Sequence, residues 1–123
     1  MNDLIQKLQT VEEEIATEKG PLNLFAVMER EDLFNRWDLL IAASWARFDE
    51  KTLNYVSDRL KRHLEPEEMT LLARIVILDA TEDPVRAITE SYDVEHGPIQ
   101  FTEAARFGLP VNHGYIFTSR PAA

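Results

Sequence analysis

Cysteine is absent from the 123-residue sequence, which excludes disulfide scaffolds, thiolate metal sites and cysteine nucleophiles. Glycine is scarce, with four residues in the chain, so a Gly-rich phosphate-binding loop is not expected. No apolar run approaches the roughly 20 residues that cross a bilayer, and the first residues, Met1-Asn2-Asp3-Leu4, lack the basic and apolar regions of a secretion signal. We therefore expect a cytoplasmic protein.

Basic residues are also few, because the chain has 13 of them and 22 acidic residues, which gives a formal net charge of −9. Such a surface repels phosphate backbones and anionic lipids, so we expect neither a nucleic-acid partner nor a membrane partner. It suits a basic protein partner, although solubility alone explains many acidic surfaces. With 45% hydrophobic residues, the chain predicts a single folded domain over residues 1–123, with residues 119–123 as a frayed tail.

Two apolar runs joined by an amphipathic helix dominate the middle of the chain. The runs are Trp37–Ala46 and Leu71–Leu78, and the helix between them spans Asp49–Leu64. This order predicts a βαβ unit with parallel strands. Trp37 and Trp45 fall on the bulkier side of the first strand, where a buried core is favoured over an exposed stacking surface. The second run is almost continuously apolar, which predicts a central, buried strand.

The remaining elements complete an α+β fold. We predict helices at Asn2–Lys19 and from Asp83 to a point before Gly97, and strands at Leu22–Arg30, Ile99–Phe101 and Tyr115–Thr118. The first strand should pair antiparallel with the next one, and the last strand should add to a sheet edge. The predicted architecture is a mixed sheet of four to five strands with helices packed on it, in the order α-β-β-α-β-α-β(-β).

Two patterns leave an alternative open. The first helix carries a narrow apolar stripe of Leu4, Leu8, Val11 and Ile15, which indicates packing on the sheet or, as the less favoured alternative, a short coiled-coil seam between two copies. The central helix ends in the basic run Arg59, Lys61, Arg62 and His63. This run is typical of cations that complement a helix dipole, and is too sparse for a nucleic-acid site.

No catalytic motif is present, so the candidates for chemistry are single residues. His96 and His113 lie in turn-like segments and could meet Glu95 or Asp79 to form an acid–base site, which would make the chain a small hydrolase-like enzyme. An exposed loop histidine is the favoured alternative for each. No histidine has another at i+2 or i+4, so we predict no metal site and no cofactor.

A second candidate site lies at the carboxyl ends of the predicted parallel strands, where open α/β sheets bind ligands. Ser44 and Arg47 follow the first of these strands, and Asp79 and Thr81 follow the second. They could bind a small polar ligand, as in a sensor, or form a charge pair that closes the sheet.

The function that these observations favour is a non-catalytic interaction or regulatory domain, which binds a protein partner or associates with itself. The expected contact surface is acidic and combines residues of the first helix with those after the first strand: Glu12, Glu13, Glu14, Glu29, Glu31 and Asp32. We expect Glu12 to Glu14 to form a solvated side of the helix.

Overall fold

The computed structural model describes residues 2–30, 36–101 and 111–121. In this part of the chain, four helices pack on a five-stranded mixed sheet, which confirms the predicted α+β class. The elements are α1 (Asn2–Lys19), β1 (Leu24–Arg30), β2 (Trp37–Ala42), α2 (Glu50–His63), α3 (Pro66–Met69), β3 (Leu72–Ile77), α4 (Asp83–Ser91), β4 (Ile99–Phe101) and β5 (Val111–Ser119).

The βαβ unit is present as predicted. β2 and β3 are parallel neighbours, with Leu39 beside Ile75, and α2 connects them in the chain. β1 pairs antiparallel with β2, as expected for a short connection. On its other side β1 pairs antiparallel with β5, so it lies between β2 and β5 in the sheet.

The order of strands in the sheet differs from the prediction at two places. The order is β3-β2-β1-β5-β4, so β3 lies at an edge, and the prediction of a central, buried strand there is wrong. Within β3, Ala73 and Arg74 are exposed and Ile77 is buried. The expectation that the last strand lies at an edge is also wrong, because β5 is inserted between β1 and β4.

A hydrophobic core lies on each face of the sheet. On one face α1 and α2 cover Phe25, Leu39 and Phe117. The four stripe residues of α1 are all buried in this core (Leu4, Leu8, Val11 and Ile15), so the helix lies on the sheet and the stripe is not a seam between copies. On the other face α4 covers smaller residues of β1 and β2, among them Ala26 and Ala42. Small side chains let the helix approach the sheet closely.

The ends of several elements were predicted within a few residues. Asp49 caps α2, accepting a hydrogen bond from the N–H of Thr52 at 2.8 Å, whereas the cap of α4 is Glu82 and not Asp83. β2 ends at Ala42, four residues early, and Trp45 packs edge-on against Tyr55, with ring centroids 6.2 Å apart. At the other end of the chain, Ser119 is buried within β5.

The segment that was expected to fray is attached to the fold through its backbone. Ser119 exchanges two hydrogen bonds with Val94, and Arg120 donates its N–H to Asn23 O at 2.8 Å. The Asn23 side chain in turn donates to the carbonyl oxygens of Arg120 and Pro121. Arg120 therefore has a fixed backbone position beside the start of β1.

Candidate functional site

The turn between α4 and β4 is fastened to β5. The Val94 N–H bonds Ser119 O, and the Gly97 N–H bonds Phe117 O at 2.6 Å. A Cβ atom at Gly97 would lie 2.6 Å from Ile116 O, so only glycine permits this close approach. His96, held between these attachments, has a φ of 54°, in a region that costs a residue with a side chain about 1 kcal/mol or more.

This turn places His96 against a buried carboxylate on α1. Glu12 is 0% exposed, and its two oxygens lie 2.8 and 2.9 Å from Nδ1 of His96. Thr118 of β5 donates its hydroxyl to the same carboxylate. A carboxylate is excluded from the interior unless hydrogen bonds and an opposite charge compensate it. Glu12, His96 and Thr118, which we call the His96 site, provide that compensation together.

The His96 site favours the charged form of the imidazole. The hydrogen bond to Glu12 raises the pKa of His96 above its ordinary value of 6.5, partly opposed by burial, and the negative charges of Glu12, Glu13 and Glu95 add to the increase. The His96 side chain is 44% exposed, so solvent screens part of this effect. The site therefore places a half-exposed imidazole, whose charged form is favoured, against a buried carboxylate.

A cavity of about 220 Å³ adjoins the His96 site. Its walls include the side chains of Glu12, His96 and Thr118, and Arg120 and Glu95 lie at the same cavity. Arg120 Nη1 and Glu95 Oε2 are 3.6 Å apart. Of the predicted catalytic residues, His96 and Glu95 thus share one cavity, but the carboxylate that His96 contacts is Glu12.

The other predicted catalytic residues do not join this site. Asp79 accepts hydrogen bonds from the N–H and the hydroxyl of Thr81, and these bonds lower the Asp79 pKa. The side chain of His113 lies outside the described residues. Of the four predicted catalytic candidates, His96 is the one that contacts a carboxylate at this cavity, and that carboxylate belongs to Glu12, which the sequence had indicated to be on the surface.

The predicted ligand site at the ends of β2 and β3 contains two local hydrogen-bonded pairs, and the charge of Arg47 also contributes to the lowered pKa of Asp79. Arg47 Nη1 donates to Ser44 O at 3.3 Å, and Asp79 binds Thr81 within its own turn. In the described part of the chain, no hydrogen bond joins these two pairs. Each pair stabilises a turn, and the assignment of a ligand to these four residues stays a prediction.

The acidic surface predicted for a partner is divided by the fold. Glu13 is exposed, but Glu12 is buried, so the expectation that Glu12 lies on a solvated side is wrong. Glu29 is half-buried near Trp37, while Glu31 and Asp32 lie outside the described residues. Glu14 is half-buried between α1 and α2. These residues stay candidates for partner binding, now without Glu12.

Glu14 belongs to a cluster that joins α1 to α2, the α1–α2 charge cluster of Glu14, Glu18, Tyr55, Arg59 and His63. Arg59 binds both carboxylate oxygens of Glu18, at 2.5 and 2.6 Å, which raises the pKa of Arg59 and lowers that of Glu18. His63 lies 2.9 Å from Glu14. The basic end of α2 therefore pairs with α1, a role beyond the predicted dipole effect.

The outer edge of β3, which we call the β3 edge, carries no strand partner among the described strands. Leu78 donates its N–H to Ile41 O at 2.8 Å. Because bonding alternates along a strand, Ile75 and Ile77 direct their N–H and C=O groups away from β2. The Arg74 side chain binds Asp38, with 3.0 Å between Nε and Oδ2.

Acidic residues lie at both ends of the β3 edge. Glu65 and Glu67 are exposed just before it, and Asp79, Glu82 and Asp83 are exposed just after it. Between them, the strand Leu72–Ile77 contains one charged residue, Arg74. An apolar strand edge between two acidic groups is thus the second surface feature that could bind a partner.

The described residues contain no group of three or more histidine, aspartate or glutamate side chains able to hold a metal ion. None of the described helices is both long enough and apolar enough to span a membrane. Comparison of the sequence with protein-family models, with curated proteins and with solved structures gave no match.

Proposed function

We propose that the protein is a non-catalytic interaction domain, which binds a basic, extended segment of a partner protein along the β3 edge. The observation that carries the proposal is that β3, in which five of the six residues are apolar, lies at an edge of the described sheet and is only half covered. Unpaired edges of this kind bind an added strand through main-chain hydrogen bonds.

The backbone of β3 offers four outward groups for such pairing, from Ile75 and Ile77. A six-residue strand is about 20 Å long, so a partner segment of similar length can lie beside it. The bulge in the pairing with β2, at residues 72–74, interrupts the regular edge near its start. We therefore place the contact along the second half of β3, from Arg74 to Leu78.

The acidic residues at the two ends of the β3 edge favour a basic partner. Acidic residues at both ends would attract lysine or arginine residues that flank an apolar core in the partner segment. In an antiparallel pair of two β3 strands, the Glu67 end of one copy would meet the Asp83 end of the other, and these like charges would repel. A basic partner is therefore favoured over self-association, which the sequence left as an alternative. A cytoplasmic location is part of this proposal.

The test uses three synthetic peptides with a six-residue core of alternating Val and Thr. One has lysine flanks, one has glutamate flanks, and the third has lysine flanks and N-methyl groups on all six core residues. We expect the lysine peptide to bind, with amide NMR shifts centred on Ile75 and Ile77, and the N-methylated peptide to fail because it cannot pair with the edge. Binding of all three, or shifts away from β3, would overturn the proposal.

A matched pair of double variants tests the charges. The double variant Glu67→Lys with Asp83→Lys places cations at both ends of the β3 edge. We expect it to lower the affinity for the lysine peptide about tenfold and to raise the affinity for the glutamate peptide. Glu50→Lys with Asp58→Lys changes the net charge equally at two exposed positions on α2. Equal weakening by both would show an unspecific charge effect. Light scattering that reports a dimer of the wild-type chain would favour self-association.

A further inference from the structure

The cavity beside the His96 site is separate from the β3 edge and has the character of a small binding site. A volume of about 220 Å³ is about seven times the share of one water in the liquid. It therefore has room for a molecule of a few carbon atoms. Its walls are of two kinds, charged on the side of His96 and Arg120 and apolar on the side of Pro21 and Leu22.

The imidazole is held so that one nitrogen remains for a ligand. Nδ1 faces Glu12 at 2.8 Å, and Gln9 on α1 donates to the backbone carbonyl of His96 at 3.2 Å. Among the described residues, Nε2 has no hydrogen-bond partner. When the ring is protonated, Nε2–H is a donor that carries positive charge.

Arg120 supplies a second cation at the same cavity. Its backbone N–H is bound to Asn23 O, but its side chain is 48% exposed and lies 3.6 Å from Glu95. That distance is longer than a hydrogen bond, and both side chains are accessible to solvent, so this pair is weak. A ligand carboxylate can replace Glu95 as the partner of the guanidinium, which presents two parallel N–H groups to it.

The negative charge of Glu12 is compensated by His96 and Thr118, and Glu13 and Glu95 place further negative charge near His96, so an anion at the cavity depends chiefly on Arg120. Arg120 is then the cation whose charge is least satisfied at the cavity. We propose that the cavity binds a small carboxylic acid as its anion, with the carboxylate between His96 and Arg120 and the hydrocarbon part against Pro21 and Leu22. This site is independent of peptide binding at the β3 edge.

Butyrate and butyramide make a matched pair of probes, since they have the same shape and differ in charge. We expect butyrate to shift the ¹⁵N signal of His96 Nε2 saturably, with a Kd of about 1 mM, and butyramide to bind at least about tenfold more weakly. A linear shift up to about 50 mM butyrate, far above that Kd, or equal shifts with both probes, would overturn the proposal.

Two arginine variants separate a specific site from general anion attraction. Arg120→Gln removes one cation of the cavity, and we expect it to lower the affinity for butyrate at least about tenfold. Arg86→Gln is the control, because Arg86 is also exposed and has a comparable 3.7 Å pair with Glu90. Equal weakening by both variants would overturn the site. The Glu67→Lys with Asp83→Lys variant should bind butyrate as the wild type does, which keeps the two proposals distinguishable.

Discussion

Two carboxylate–histidine pairs, two residues apart on α1, have nearly the same geometry and different surroundings. Glu12 lies 2.8 Å from His96 and Glu14 lies 2.9 Å from His63. The Glu12 side chain is 1% exposed, whereas that of Glu14 is 30% exposed. Glu14 also has two arginines within 4.0 Å, while Glu12 has Thr118 as its second partner.

The comparison shows that the position of a glutamate on the helix determines how much its charge and its contacts change the stability of the fold. Glu14 projects towards α2, where water and several cations share its charge, so each contact is replaceable. Glu12 projects towards β5, where His96 and Thr118 are its hydrogen-bond partners among the described residues and compensate a charge removed from water. The first pair is one of several links between two helices, and the second depends on each of its members.

Replacement of Glu12 should have the largest effect on the free energy of unfolding. We expect Glu12→Ala to lower the free energy of unfolding by about 3 kcal/mol, since it leaves a small void and two polar groups without their partner. Urea unfolding followed by circular dichroism measures this. The matched control, Glu14→Ala, should cost less than about 1 kcal/mol, and equal losses would contradict the distinction.

The Thr118 hydroxyl provides the next largest effect. We expect Thr118→Val to cost about 1–2 kcal/mol, because the valine keeps the shape of the side chain but removes a hydrogen bond to a buried charge. In a Glu12→Ala background the same substitution should cost close to nothing, which a double-mutant cycle in urea detects. Additive losses would show that Thr118 acts independently of Glu12.

The protonation of His96 should make stability depend on pH. Because its pKa is raised in the folded state, its contribution is fully present below the unfolded value of 6.5 and is lost as the pH rises through the folded pKa. We expect the difference in unfolding free energy between wild type and His96→Gln to shrink from about pH 5.5 to about pH 8.5. A constant difference over this range would contradict the assignment.

His63→Gln is the control for that series. It removes the other histidine of the comparison and leaves the His96 site intact, so the pH dependence that we assign to His96 should persist in this variant. If His63→Gln abolished it, the titrating group would belong to the α1–α2 charge cluster.

Salt should produce the smallest difference between the two pairs. We expect 1 M NaCl, at which the screening length is about 3 Å, to reduce the cost of Glu14→Gln by about 0.5 kcal/mol or less. The cost of Glu12→Gln should change less, because the Glu12 side chain is 1% exposed and solvent screens its charge little. Chemical unfolding with urea at low and high salt measures both, and equal salt effects would mean that solvent reaches Glu12.

The hydrophobic pattern predicted the elements and the parallel β2–β3 pair but placed two strands wrongly. An apolar run such as Leu71–Leu78 indicates that both faces of a strand are covered. In the chain, α2 lies before β3 and α4 lies after it. It carries no information about the edges, which are lined by backbone groups common to all residues. The position of β5 depends on pairing with β1, which is distant in the sequence.

The His96 site shows the same limit for a functional site. The run Glu12-Glu13-Glu14 indicated a solvated surface, yet Glu12 follows Leu8 by one helical turn and points in nearly the same direction as Ile5, which is also buried. That spacing was the signal for its burial. Its partners are 84 and 106 residues away, and nothing local in the sequence connects them to it.

The insertion of β5 between β1 and β4 has a consequence for synthesis on the ribosome. A nascent chain that has emerged only as far as residue 101 has β1 with one side open and β4 with no neighbour to join. The sheet can close only when residues 111–119 have left the exit tunnel. Until then the N–H and C=O groups along the open side of β1 have no strand partner and could pair with another chain.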